Sequence, residues 1–128
     1  PNMVSEIVRW QTPVLHTRRT LKSDYEIDGK KLKAGEKVVM WYIAGNRDES
    51  MHPDADRLII DRPEARQHVS FGFGIHRCMG NHVAEMQLKI LWEEIMQRFE
   101  RIEVVGEPVR NKSNFVMGFT DVPVRLPA

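Results

Sequence analysis

Phe71-Gly-Phe-Gly74-Ile-His76-Arg-Cys78-Met-Gly80 is the stretch that decides the reading of this chain, and it runs directly into a helical pattern from Asn81 to about Phe99. It holds the only cysteine in 128 residues, set among Gly72, Gly74 and Gly80. Glycines let a loop adopt positive φ and let its backbone approach another body closely. The free N–H groups and positive dipole end at the start of the following helix favour an anionic sulfur. Phe71 and Phe73 are placed to shield that sulfur from water.

Three other readings of Cys78 stand beside this one. A lone cysteine is most often a small buried hydrophobe. His76 and His82 lie close in sequence, but structural zinc takes four ligands, typically with paired cysteines. A catalytic nucleophile would want a local signature that is absent here. A glycine-rich, aromatic-lined loop capped by a helix is also a good cradle for a thiolate bound to a flat iron porphyrin.

Outward from the loop, the long helix carries Met79, Val83, Met86 and Ile90 on one stripe. Leu88, Leu91, Trp92, Ile95 and Phe99 widen it, and that breadth predicts burial on more than one side. Glu85 with Lys89 and Glu94 with Arg98 are supporting pairs at i,i+4. Short strands are expected at Ile102–Val105, Phe115–Phe119 and Val122–Leu126. Upstream, Asn46–Gln67 carries Pro53 and Pro63 with many charges and little periodicity, so it reads as a long irregular segment packed on the surface.

Before it, Lys37–Ile43 reads as a buried strand, and a turn is expected at Ala34-Gly35. Asp28-Gly29 marks a hairpin turn within Asp24–Lys33. Leu15–Leu21 is extended, and a first helix with Val4, Ile7, Val8 and Trp10 on its apolar face ends near Thr12-Pro13. That helix has almost no chain ahead of it, so the N-terminus reads as a cut.

Composition excludes little but does so clearly. Nineteen basic and eighteen acidic residues give a formal net charge of +1, leaving no global field for nucleic acid or an anionic membrane. Uncharged stretches such as Val38–Asn46 are far shorter than the roughly 20 apolar residues of a membrane span. One cysteine allows no internal disulfide, and the cytoplasm is the default compartment.

The cysteine loop resembles the cytochrome P450 haem-binding signature Phe-x-x-Gly-x-[Arg/His]-x-Cys-x-Gly, and matches it at every specified position. The resemblance implies a mainly α fold with small β-sheets (α+β). It would be the C-terminal haem-binding part, residues 1–128, of one larger domain, from a Glu-x-x-Arg helix through the cysteine loop and proximal helix to the terminal strands. It implies haem b with Cys78 as the iron ligand, cradled by Phe71, Gly72, Phe73, Gly74 and Gly80. Arg19 and His76 would meet the two porphyrin carboxylates, and Arg18, one residue off in the strand, would face solvent. Glu6-Ile-Val-Arg9 fits the helix that the family places some seventy residues ahead of the cysteine. Arg62 is expected as the third member of a buried structural triad, with Arg57 in reserve.

The implied activity is monooxygenation: one atom of O2 enters a C–H bond of an apolar substrate, with a ferredoxin-type donor docking near Arg77, His82 and Lys89. Substrate-facing segments would be Val14, Leu15, His16 and Thr17, and Phe115, Val116 and Met117. The family's oxygen-activating acid–alcohol pair has no counterpart in this stretch, so the fragment alone is expected to be inactive. Closer details are similar to a bacterial subgroup of alkane and fatty-acid terminal hydroxylases, among them His16-Thr-Arg-Arg-Thr20 and Lys37-Val-Val-Met-Trp-Tyr42. Terpene or steroid hydroxylation, and a non-catalytic haem-binding module, are the alternatives.

Overall fold

Thr12 turns the chain out of its first helix. In the computed structural model, which describes residues 2–127, α1 spans Asn2–Gln11 and stops where Thr12 takes a φ of 42° ahead of Pro13. Positive φ is uncommon for a β-branched residue. Here the Thr12 N–H donates to the Val8 carbonyl at 3.1 Å and its hydroxyl to the Arg9 carbonyl at 2.6 Å, closing the helix end. Val4 and Val8 are buried, whereas Ile7 and Trp10 are only half-buried.

Strand β1 (His16–Thr20) follows and pairs antiparallel with β4 (Lys37–Trp41), Thr17 opposite Met40 and Arg19 opposite Val38. Between them, β2 (Tyr25–Ile27) and β3 (Lys30–Leu32) form a hairpin. Its turn residues Asp28 and Gly29 have φ of 48° and 71°, the two positive values that a type I′ turn demands. Beyond β4 the chain coils at once into α2 (Tyr42–Asn46). The expectation of a buried strand over Lys37–Ile43 is therefore corrected. Exposure alternates along β4, Val39 and Trp41 face outward, and the sheet has only two strands to cover them.

Residues 47–64 are irregular, ending in one turn of 3₁₀ helix at Ala65–Gln67 that packs against α1. The segment is more than a surface wrap, because His52, Ala55, Arg62 and Ala65 are buried in it. Helix α3 (Asn81–Arg98) begins three residues after Cys78. The C-terminal stretch makes two small antiparallel sheets, β5 (Glu103–Val104) with β8 (Val124–Arg125) and β6 (Val109–Arg110) with β7 (Phe119–Asp121). The strands expected over Ile102–Val105 and Val122–Leu126 are shorter, β6 was not anticipated, and Phe115–Met117 is joined instead by a bridge from Val116 to Val14.

Among the described residues, the buried set holds only four apolar side chains, Val4, Val8, Ala55 and Ala65, against nine polar ones. The expected burial of α3 on more than one side is not met within this chain. Val83, Met86, Ile90, Leu91 and Met96 are each at least half exposed, and only Asn81 is buried. Lys89 pairs with Glu93 at 3.4 Å in place of Glu85, while Glu94 and Arg98 form the expected pair.

So small an apolar interior cannot offset the conformational entropy of ordering the chain. The isolated 128-residue polypeptide should show a broad, non-cooperative thermal transition by circular dichroism and calorimetry. A sharp transition with matching calorimetric and van't Hoff enthalpies would contradict this.

Candidate functional site

Glu6 and Arg9 lie one helical turn apart on α1, which puts both on one face. Arg9 grips the carboxylate with two parallel bonds, Nε to Oε2 at 2.7 Å and Nη2 to Oε1 at 2.8 Å. Arg62 arrives from the irregular segment and donates Nε to Oε1 at 3.1 Å, and the Ile59 N–H donates to the same oxygen at 2.9 Å. All three side chains are essentially inaccessible to solvent. Burial alone would raise the Glu6 pKa, but the bonds from Arg9, Ile59 and Arg62 outweigh it and hold the carboxyl at about 2.

The two guanidinium groups also fix backbone. Arg9 donates to the carbonyls of Asn46 at 2.6 Å, Ala55 at 2.9 Å and Arg57 at 3.1 Å. Arg62 donates to those of Pro53, Asp54 and Arg57. Arg57 thus contributes its carbonyl; its side chain is exposed and lies 3.9 Å from Asp54.

Asn46 carries this network to the cysteine loop. Its Nδ2 donates to Thr12 Oγ1 at 2.8 Å and to Ser70 Oγ at 2.7 Å, and its Oδ1 accepts the Val69 N–H at 2.8 Å. Ser70 Oγ in turn donates to the Val8 carbonyl at 2.8 Å. The sequence reading gave Asn46 and Ser70 no role, and no periodicity marks them. His52, equally unanticipated, is buried against the cluster and its Nδ1 has no hydrogen-bond partner among the described residues. Burial first, then the charges of Arg9 and Arg62, push its pKa down, so it stays neutral. His68, packed on Phe71, is driven down to about 4 by burial and then by Arg77.

The loop itself closes on two bonds, the Gly72 N–H to the Val69 carbonyl at 2.8 Å and the Cys78 N–H to the Phe71 carbonyl at 2.9 Å. Gly72 and Gly74 adopt φ of 72° and 75°; Gly80 does not, and a Cβ there would make only ordinary contact with Cys78 Sγ, at 3.9 Å. Within this chain Phe71 is half-buried, whereas Phe73 is 86 % exposed and Cys78 is itself exposed.

Cys78 opens onto a cavity of about 430 Å³ walled by Val8, Val14, Phe71, Gly72, Ala84 and Leu88. Thr17, Arg19, Tyr42 and His76 line it too. Thr17 and Arg19 share one face of β1, and Arg18, on the other, is exposed and outside the cavity wall. A single thiol, an apolar floor, the Arg19 guanidinium and the His76 imidazole form a set that fits an iron porphyrin with two carboxylates.

Of the expected substrate segments, Val14 and Thr17 line this cavity, whereas Leu15, His16 and Phe115–Met117 do not. The two segments nevertheless meet: the Leu15 N–H donates to the Phe115 carbonyl at 2.9 Å, and the His16 ring packs edge-on against Trp41 and Phe115. His82 and Lys89 line a separate hollow with Arg66 and Glu85, which Arg77 does not line. Among the described residues, no group of His, Cys, Asp or Glu converges as a metal site, which disfavours zinc at His76, Cys78 and His82. No described helix is long and apolar enough to cross a membrane.

The family model for cytochrome P450 matches residues 1–126. The chain belongs to the cytochrome P450 family. It is 46% identical over 122 residues, 95% of its length, to a linalool 8-monooxygenase from Pseudomonas putida, and 38% identical over 97% of its length to a methyl-branched lipid omega-hydroxylase from Mycobacterium tuberculosis. A solved cytochrome P450-153 from Novosphingobium aromaticivorans superposes with a TM-score of 0.93 over 99% of this chain, at 51% identity. The chain spans about 30% of the length of these curated relatives and 32% of that structure. Membership of this family implies a haem cofactor.

In the full-length enzyme, Glu6→Gln should cost about 3–5 kcal/mol at neutral pH, because it leaves two buried guanidinium groups uncompensated. The native carboxyl is depressed from its ordinary 4.5, so its contribution is complete above that value and lost as pH falls toward about 2. Denaturant unfolding should therefore show wild type and variant converging between pH 4.5 and 2. Equal stability of the two at pH 7 would dismiss the cluster as a structural lock.

Proposed function

We propose that the chain is the C-terminal haem-binding portion of a cytoplasmic haem-thiolate monooxygenase that hydroxylates the terminal carbon of alkanes or fatty acids. The observation that carries the reading is Cys78 on the wall of an apolar cavity, with Arg19 and His76 beside it. Haem b bound there supplies the dioxygen chemistry, one atom entering a C–H bond and the other leaving as water, with electron density donated by the cysteine thiolate.

The residues of this chain do the rest. Cys78 holds the iron, and Phe71, Gly72, Phe73, Gly74 and Gly80 form the bed around it. Arg19 and His76 bind the two carboxylates, each donating an N–H to a carboxylate oxygen. Val8, Val14, Ala84 and Leu88 keep the cavity dry, which strengthens every electrostatic contact inside it. Val14, Leu15, His16 and Thr17 with Phe115, Val116 and Met117 form one edge of the substrate space, held together by the Val14–Val116 bridge. A ferredoxin-type donor docks on the cysteine side against Arg77, His82 and Lys89, all exposed.

Terminal hydroxylation rests on the likeness to the alkane and fatty-acid subgroup and on the relative described as an omega-hydroxylase. A second reading, terpene hydroxylation, is favoured by the higher identity to the linalool enzyme. The full-length enzyme, driven by ferredoxin and its reductase under isotopically heavy O2, should convert linear alkanes or fatty acids into terminal alcohols carrying one labelled oxygen. Turnover of linalool alone would replace the substrate, and product without label would end the monooxygenase reading. Charge reversal at Arg77 and Lys89 should slow ferredoxin-driven turnover; an unchanged rate would remove that docking site.

A further inference from the structure

Two cavities meet at Arg19, Tyr42 and His76. One is the cavity that holds Cys78; the other, about 320 Å³, runs past Met40, Trp41, Phe73 and Ile75, and these three residues line both. Two of them, Arg19 and His76, are the N–H donors assigned above to the porphyrin carboxylates. Tyr42 is the third, and nothing so far gives its hydroxyl a purpose.

Tyr42 Oη stands 2.7 Å from Thr17 Oγ1. Each oxygen carries one proton, and the contact between them uses only one. Among the described residues neither oxygen has another hydrogen-bond partner, so one O–H of the pair is left to donate elsewhere. A phenol is a stronger acid than an alkyl hydroxyl, and so the better donor to an anion. The economical arrangement has Thr17 donating to Tyr42 and Tyr42 keeping the outward proton.

The phenol is also held in place from behind. Gly72 sits at a φ of 72°, and a Cβ on it would come within 3.1 Å of Tyr42 Oη, so the cysteine loop packs its bare backbone against this hydroxyl. Thr17 and Arg19 follow the period-two alternation of β1 onto the same cavity wall. The spare donor therefore lies on the wall that carries Arg19 and His76, between the strand and the loop that supply them.

We propose that Tyr42 is a positioning residue that donates a hydrogen bond to one carboxylate of the haem, with Thr17 backing it as the next member of a two-hydroxyl relay. This rests on the haem reading above. Hydrogen bonds in series polarise one another, and a neutral donor on a half-buried wall adds affinity without adding charge.

The test uses the full-length holoenzyme as wild type, Tyr42→Phe and Thr17→Val. Three measurements are made on each: the carbon-monoxide-bound spectrum, the propionate-bending mode by resonance Raman, and the rate of haem transfer to excess apomyoglobin. Loss of a hydrogen bond to a charged group should speed haem transfer about tenfold in Tyr42→Phe. The propionate mode should fall in frequency, and the thiolate-type spectrum should persist. Thr17→Val should move both readouts the same way by less, and it carries the test if the phenylalanine variant does not fold. An unmoved propionate mode in Tyr42→Phe overturns the proposal, even with faster haem loss, because packing alone would then explain the ring. A wild type without the thiolate-type spectrum would bring down the haem reading and this inference together.

Discussion

One carboxylate faces two guanidinium groups in the interior of this chain, and that imbalance organises everything around it. Glu6 compensates one of the charges on Arg9 and Arg62, and among the described residues no second buried acid compensates the other. Leaving a charge uncompensated in a low-dielectric interior is expensive, so the remainder must be met by dipoles. They come from the carbonyls of Asn46, Pro53, Asp54, Ala55 and Arg57, all in the stretch without regular secondary structure or at its start. A helix or strand would commit those carbonyls to its own ladder. The irregularity of residues 47–64 is thus a requirement of the cluster. The neutrality of His52 follows from it as well, since a further cation beside Arg9 and Arg62 would worsen the imbalance.

From this cluster the order passes to the cysteine loop through Asn46. Its backbone carbonyl is held by Arg9, while its side chain fixes Thr12 at the end of α1 and Ser70 and Val69 at the entrance to the cysteine loop. A buried asparagine with both side-chain donors used and its oxygen accepting a backbone N–H has one orientation available to it. The position of Cys78 is thereby referred back to the same buried charges that fix α1, although the ion cluster and the thiol belong to separate segments. Buried ionic groups of this kind contribute more to a single geometry than to net stability.

Much of this was legible in the residues. The end of α1 at Thr12-Pro13, the hairpin at Asp28-Gly29 and the start of α3 after Gly80 follow from local chemistry: proline's restriction, two positive φ values, and an amphipathic stripe. Glu6, Arg9, Arg19, Arg62, His76 and Cys78 were found by matching a pattern, not by periodicity. What could not be read depends on partners distant in sequence. An apolar run such as Lys37–Trp41, or the wide stripe of α3, states that a surface wants covering; it does not state which segment covers it. In a chain spanning about 30% of its relatives' length, that difference separates expected burial from observed exposure. Asn46, Ser70, His52 and Tyr42 escaped notice for a related reason, because single polar residues carry no period and acquire meaning only from what the fold sets beside them.

The reduced, carbon-monoxide-bound absorption spectrum of the full-length enzyme, recorded for wild type beside Cys78→Ser, tests the central claim most directly. Ligation by Cys78 predicts the red-shifted Soret band of a thiolate-bound haem in the wild type and its disappearance in the serine variant. An imidazole-type band in both proteins would show that Cys78 is not the ligand.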